Sequence, residues 1–221
     1  MHYSSVPVTG EASATAKESK RQPMWHVIVL NILTLSAYSL IWFYKNVKDL
    51  SEAARERSNS EPDGDTGSGS EKTADIVQNQ ADKAALTLKS FAKSSPILRT
   101  LGLLLPVLQL YLIGRFFKEC AELNPDRDSL PGKHPLIAAI VLTSLMFGLF
   151  WLYKLPGAFF LLYLTASVPM AIAQSWLNKF WQQEEGSDLV VRHAFSVGEL
   201  ASIIAGSIVL GLVVVGFYVG R

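Results

Sequence analysis

The order of apolar and polar positions along the chain predicts five membrane-spanning helices. A helix needs about 20 apolar residues to cross a hydrocarbon core of about 30 Å. Arg99 and Arg115 fall in one such run, near its two ends, where their side chains can reach the membrane interface. We therefore expect an all-α membrane protein with five transmembrane helices. The five runs cover residues 25–44, 96–117, 134–153, 155–178 and 200–220.

Two of these runs repeat one another. The first closes on Trp-x-Tyr-Lys at residues 42–45, and the third closes on the same pattern at residues 151–154. Aromatic and basic residues at the end of an apolar run are typical of a membrane interface. A Pro-Gly turn at 156–157 joins the third run to the fourth. The pattern predicts two tandem parallel helical hairpins, made of spans one and two and of spans three and four, plus a terminal helix.

Polar segments flank and interrupt this membrane region. Residues 1–24 form a polar N-terminal tail, and the integral membrane domain covers residues 25–220 with a polar insertion at 46–95. Within the insertion, the Gly/Ser-rich stretch 58–70 is expected to be disordered. Residues 74–93 are expected to form an amphipathic helix, either lying on the membrane or bundle surface or making a short coiled-coil contact. Its apolar stripe consists of Val77, Ala81, Ala84, Leu88 and Phe91.

Composition supports a membrane protein and excludes several other classes. Of 221 residues, 49% are apolar and 18% are charged, and the net charge is +1. A nucleic-acid-binding surface is not indicated by this charge. The single cysteine, Cys120, excludes an intramolecular disulfide framework and a cysteine-based zinc site. We expect a multi-pass protein of the cell membrane, of the bacterial inner membrane type.

The residues that carry catalytic chemistry are missing from the pattern. No charged residue lies near the centre of a span, and neither an HExxH nor a GxSxG motif occurs. We therefore expect no enzymatic activity, no cofactor and no metal. The leading interpretation is a structural or regulatory membrane protein. Its expected partners are the lipid bilayer and, through residues 46–95, another protein.

A second interpretation is a small-solute transporter or permease with a site between the second and fourth spans. Pro106 and Pro169 fall near the centres of these spans, and paired helix interruptions often mark transporter sites. Gln109 and Ser167 lie beside the prolines, so the candidate solute site is Pro106, Gln109, Ser167 and Pro169. The alternative is that the prolines only bend two packed helices. The polar side chains inside the spans would then serve interhelical hydrogen bonds; they are Asn31, Thr34, Gln109, Thr143, Ser167 and Gln174.

Two stretches of sequence resemble a known family. Residues 32–45, Ile-Leu-Thr-Leu-Ser-Ala-Tyr-Ser-Leu-Ile-Trp-Phe-Tyr-Lys, are similar to the opening motif of a bacterial membrane family known as domain of unknown function 4234. Leu-Asn-Lys-Phe-Trp at 177–181 and Phe-Ser-Val-Gly-Glu at 195–199 resemble its closing part. The resemblance covers most of residues 25–217 and implies a bacterial multi-pass membrane protein. It transfers no active-site residue.

Overall fold

The protein is an all-helical bundle throughout the part of the chain that the structure describes, which confirms the all-α class but does not support the five expected spans. The structure is a computed structural model and describes residues 19–60, 84–186, 189, 195 and 197–219. The α-helices are α1 (Met24–Leu33), α2 (Tyr38–Ser60), α3 (84–92), α4 (Pro96–Gly102), α5 (Pro106–Leu123), α6 (Leu130–Lys133), α7 (Pro135–Phe150), α8 (Val168–Glu185) and α9 (Val197–Val219). Two 3-10 segments, Trp151–Lys154 and Gly157–Ser167, lie between α7 and α8.

The ion pairs between described residues gather at one end of the bundle. Arg57 pairs with Glu184, and Lys179 Nζ lies 3.1 Å from Asp126 Oδ2. We call this the polar end; it consists of the second half of α2, α3, the C-terminal halves of α5 and α8, and residues 124–134. The remaining, largely uncharged part of the bundle is called the apolar body. Charge and apolar surface are thus separated along the bundle axis.

The first predicted span, 25–44, is not one straight helix. Ser19 Oγ donates to Glu185 Oε2 at 2.6 Å, while Arg57 pairs with the neighbouring Glu184. A straight helix from Ser19 to Arg57 would hold these two residues more than ~50 Å apart at 1.5 Å per residue. The chain therefore reverses direction at residues 34–37, and α1 and α2 form a helical hairpin with both ends at the polar end.

The second predicted span, 96–117, also folds back on itself. Arg99 Nη1 lies 3.0 Å from Glu119 Oε2, although a straight helix would separate these residues by about 30 Å. The chain turns at 103–105, where the N–H groups bond three residues back instead of four. Pro106 has no N–H to continue α4, so it starts α5 instead. Spans one and two are thus corrected from single crossings to two separate hairpins.

The third and fourth predicted spans form the hairpin that the Pro-Gly turn indicated. Helix α7 continues into Trp151–Lys154, and after the turn Gly157–Ser167 leads into α8. The α7 unit, Pro135–Lys154, is the single helix among the described residues that is long and apolar enough to cross a membrane. The shorter apolar helices are Met24–Leu33 and Val197–Val213.

The two sequence repeats have different environments. Trp42 is 2% exposed, and its Nε1 donates to Gln174 Oε1 at 2.7 Å. Trp151, its counterpart, is 60% exposed and carries the Lys154 ammonium 3.9 Å from its ring centroid. Trp42 lies within a hairpin, whereas Trp151 lies at the far end of the apolar body. Their places in the bundle explain why Trp42 is packed and Trp151 is exposed.

The N-terminal tail and the insertion contribute to the polar end. Gln22 N donates to Asn178 Oδ1 at 3.0 Å, and Asn178 Nδ2 returns a bond to the Gln22 carbonyl at 2.7 Å. Residues 58–60, which we assigned to the disordered stretch, instead end α2, where Arg57 is held by Glu184. Residues 1–18 and 61–83 lie outside the described part.

Helix α3 uses its apolar stripe inside the molecule. Leu88 and Phe91 are fully buried, and Ser51 Oγ donates to the Phe91 carbonyl at 3.2 Å. On its polar side, Ser90 Oγ donates to Glu119 Oε1 at 3.3 Å. The part of the predicted amphipathic helix that is described therefore packs against the bundle.

Candidate functional site

The tip of the α1/α2 hairpin meets α5, α7 and the segment before α8 at one cavity in the apolar body, lined by both polar and apolar side chains. Its volume is about 110 Å³, enough for several waters or a small solute. Met146 of α7 lines it and lies about 16 Å along the helix from Pro135, roughly half of the ~30 Å length of Pro135–Lys154. The lining residues are Asn31, Ser36, Ser39, Gln109, Met146, Phe147, Phe150, Ala166, Ser167 and Met170.

The tip of the α1/α2 hairpin has a strained backbone. Leu35 has φ 49° and Ser36 has φ 70°, a region that costs a non-glycine residue roughly 1–2 kcal/mol. Ser36 N donates to the Asn31 carbonyl at 2.7 Å, and Leu35 N donates to the Ile32 carbonyl at 3.2 Å. These bonds close α1 as a Schellman motif and bring Ser36 to the cavity. Strain of this kind is concentrated at functional sites.

Helix α9 supports the same tip from the other side. A Cβ added at Gly206 would overlap the Leu33 carbonyl oxygen and approach Thr34 Cα to 2.6 Å. Thr34 Oγ1 in turn accepts from Tyr38 N at 2.9 Å, which starts α2. Gly206 thus serves packing within the bundle, where only a glycine fits against the hairpin.

Asn31 contributes a buried side-chain amide to the wall of the cavity. Its side chain is almost completely buried at 1% exposure, and its Nδ2 donates to the Val27 carbonyl at 2.8 Å. That bond fixes the orientation of the amide. The Oδ1 atom accepts no hydrogen bond from any described residue. A buried unsatisfied acceptor costs about 1–3 kcal/mol, and this atom has almost no surface that a water-sized molecule can reach, so it lies behind the cavity wall.

The other polar groups fit a neutral occupant. Ser39 Oγ donates to the Ser36 carbonyl at 2.7 Å, and Ser167 Oγ donates to the Leu164 carbonyl at 2.8 Å. Both hydroxyl oxygens therefore keep lone pairs that can accept. The Gln109 amide makes no hydrogen bond to a described residue and offers both donors and an acceptor. The lining includes no charged side chain.

The structure divides the predicted solute site. Gln109 and Ser167 line the same cavity, whereas Pro106 and Pro169 start α5 and α8 outside it. Each proline lacks an N–H, so the carbonyl four residues before it has no helical donor. In both cases the N–H of the residue just before the proline donates to that carbonyl instead. Leu105 N donates to the Gly102 carbonyl at 3.2 Å, and Val168 N donates to that of Thr165. The prolines therefore set where the helices begin and expose no carbonyl to the cavity.

Sequence reasoning missed the α1/α2 side of the cavity. Asn31 was expected to serve interhelical packing, and Ser36 and Ser39 were not singled out. The signal was present, because Asn31 and the two serines are among the few polar positions of a mostly apolar run. Gln174 does make an expected interhelical bond, since it accepts from Trp42 Nε1 of α2, and it also donates to Asn178 Oδ1 within α8 at 2.9 Å.

Among the residues that the structure describes, no three His, Cys, Asp or Glu side chains are grouped so that they could hold a metal ion. The Cys120 thiol is buried at the polar end, and desolvation raises its pKa well above the ordinary value.

Comparisons of the chain with protein-family models, with curated proteins and with solved structures found no match. The resemblance to domain of unknown function 4234 thus stays a prediction.

Proposed function

We propose that the apolar body is embedded in a lipid bilayer and that its cavity binds a small neutral solute. The α7 unit supports the embedding in a bilayer, because only 17% of its apolar stretch is buried inside the molecule. Ile140 is 56% exposed, and Leu212 of α9 is 68% exposed. A contiguous apolar surface of this kind is rare on a soluble monomer and is normal where lipid covers it.

The proposed topology has three crossings and two re-entrant hairpins. The crossings are α7 with Trp151–Lys154, Gly157–Ser167 with α8, and α9. Trp151 and Lys154 suit the far interface, about 30 Å from Pro135. Lys154 is the one described basic residue at that far side, so the positive-inside rule favours a cytoplasmic polar end. A multi-pass protein of the bacterial inner membrane is the localisation that we propose.

The cavity favours solute binding over a purely structural role. Irregular backbone at membrane depth is tolerated where it is buried in protein or lines a water-filled cavity. The turns at 34–37 and 103–105 occur at this depth, and the first of them contributes Ser36 to the cavity. The observation that carries the proposal is the lining of the cavity, in which Ser39, Gln109 and Ser167 offer hydrogen-bonding groups and no side chain is charged. We therefore propose a non-enzymatic solute carrier or channel for small neutral molecules with a hydrogen-bond donor.

The packing of α3 does not favour the alternative of a protein partner bound through residues 46–95. Leu88 and Phe91, which would be the contacts of such a helix, are already buried in the bundle. Solute binding thus remains the proposal with a specific structural basis.

The test is solute flux in proteoliposomes of the full chain. Stopped-flow light scattering would measure permeability to water, urea and glycerol, with sucrose as the solute that is too large. Asn31→Leu and Gln109→Leu should each lower the permeability to at least one small solute about tenfold, the equivalent of about 1.4 kcal/mol. Gln182→Leu, on the exposed face of α8, is the matched control and should retain full permeability.

Two outcomes would separate the parts of the proposal. If wild-type and both cavity variants show the permeability of empty liposomes, the solute function is overturned while membrane embedding stands. If alkaline carbonate releases the protein from membranes, the embedding itself is overturned.

A further inference from the structure

We propose that the groove between α3, α5 and α7 binds one anionic phospholipid. Its phosphate would lie at Arg115 and Lys118, and an acyl chain would lie along Leu110 and Ile140. The proposal rests on the membrane embedding proposed above and concerns a different place from the solute cavity.

The groove has the size and shape of a ligand site. Its volume is about 710 Å³, within the usual range of about 300–1,000 Å³ for small-molecule pockets. From Leu110 to Glu122 it follows α5 for about 18 Å. Gly114 and Thr143 form its floor, because a Cβ at Gly114 would lie only 3.4 Å from Thr143 Oγ1. The close approach of α5 and α7 at this glycine leaves a channel open above it.

The groove changes character along its length. At the deep end its walls are Leu110 and Tyr111, and Ile140 of α7 lies near the middle of the groove; all three side chains are large and exposed. At the shallow end, next to the polar end, its walls include Arg115 and Lys118. These two cations are three residues apart on α5, so they share one face of the helix. Apolar walls that lead to two cations match an acyl chain that leads to a phosphate.

The charges around the shallow end leave a positive excess. Glu119 accepts from Arg99 Nη1 at 3.0 Å and from Arg115 Nε at 2.9 Å, so one carboxylate serves two guanidinium groups. Lys118 Nζ lies 3.3 Å from Glu122 Oε1, so the charges of these two side chains neutralise each other. Arg115 bonds Glu119 through Nε, and its guanidinium carries further N–H donors that suit a phosphate. A phosphodiester would complete this network with one negative charge.

The position in the bilayer favours a lipid as the source of that phosphate. Ala139 of α7 lines the groove only about 6 Å along the helix from Pro135, near the proposed interface. The groove is on the side that carries most basic residues, where basic pockets between membrane helices bind anionic headgroups. Leu86 and Leu136 stay exposed beside the cations and would be covered by the chains of such a lipid.

Native mass spectrometry of the full chain in detergent, titrated with phosphatidylglycerol, tests the proposal. Lys118→Gln should weaken binding of phosphatidylglycerol about fivefold, which corresponds to about 1 kcal/mol per basic residue near a lipid surface. Lys133→Gln is the matched control, since Lys133 is paired with Asp128 at 3.4 Å at the same end but lies outside the groove. It should bind as wild type does.

A second pair of variants tests the apolar half without changing charge. Ile140→Trp fills the groove and should also weaken phosphatidylglycerol binding about fivefold. Val141→Trp, at an equally exposed position outside the groove, should not. Diacylglycerol with the same chains should bind at least fivefold more weakly than phosphatidylglycerol.

Equal binding of diacylglycerol, or equal losses in the variants and their controls, would overturn the lipid site. Saturable competition by inorganic phosphate at equal concentration would show a free anion as the occupant and would overturn it too. Failure of this test in a protein that resists carbonate extraction leaves the membrane proposal standing.

Discussion

The Arg99–Glu119 contact holds the α4/α5 hairpin closed, so Glu119→Gln should be one of the most destabilising polar substitutions in the bundle. The Glu119 carboxylate is buried and accepts from Arg99, Arg115 and Ser90. The Arg99 side chain is also buried, at 10% exposure, and lies over the Phe91 ring. Removing one partner of a buried ion pair costs about 3–5 kcal/mol, because the remaining charge stays desolvated.

The free energy of unfolding in a denaturant titration in detergent would measure this loss. Arg99→Met combined with Glu119→Gln should recover most of it, since no buried charge is left unpaired and the half-exposed Arg115 can turn to water. Glu52→Gln is the control, because Glu52 pairs with Lys48 at the exposed surface and such pairs contribute about 0–1 kcal/mol. A loss in Glu119→Gln no larger than that in Glu52→Gln would refute the buried-pair argument and the closed hairpin with it.

Three further predictions concern topology, packing and pH. Single cysteines at Ser58 and Ser129, in a cysteine-free background, should be labelled from the same side of the membrane; labelling from opposite sides would restore a crossing between them. Gly206→Leu should abolish folded protein in detergent because its side chain meets backbone, whereas Gly211→Leu, with open space around it, should fold. Burial raises the Asp49 pKa, so the folded state binds that proton more tightly than the unfolded chain. Asp49→Asn should therefore stabilise the protein at pH 7, and this difference should shrink as the pH falls through the raised pKa and be gone below the ordinary value of 3.8; an equal effect at all pH values would contradict this cause.

The sequence alone determined the helical class and the segregation of charge. Local rules are enough for this, because apolar runs without charges form helices and Pro-Gly ends one. They placed the turn after Lys154 and the apolar stripe of α3 with Leu88 and Phe91. The same rules assigned Gln109 and Ser167 to the candidate solute site, and the structure brings both residues to one cavity.

Only the tertiary structure decided where each run folds back and which polar groups meet. A run such as 25–44 has the same length and hydropathy whether it crosses a membrane or folds back at its middle. The reversal at Leu35 and Ser36 depends on contacts distant in sequence, with Glu184 and Glu185 at the ends of the hairpin and Gly206 at its tip. Because the turn has no glycine or proline of its own, its strained backbone is held by those partners, and a local pattern carries no record of them.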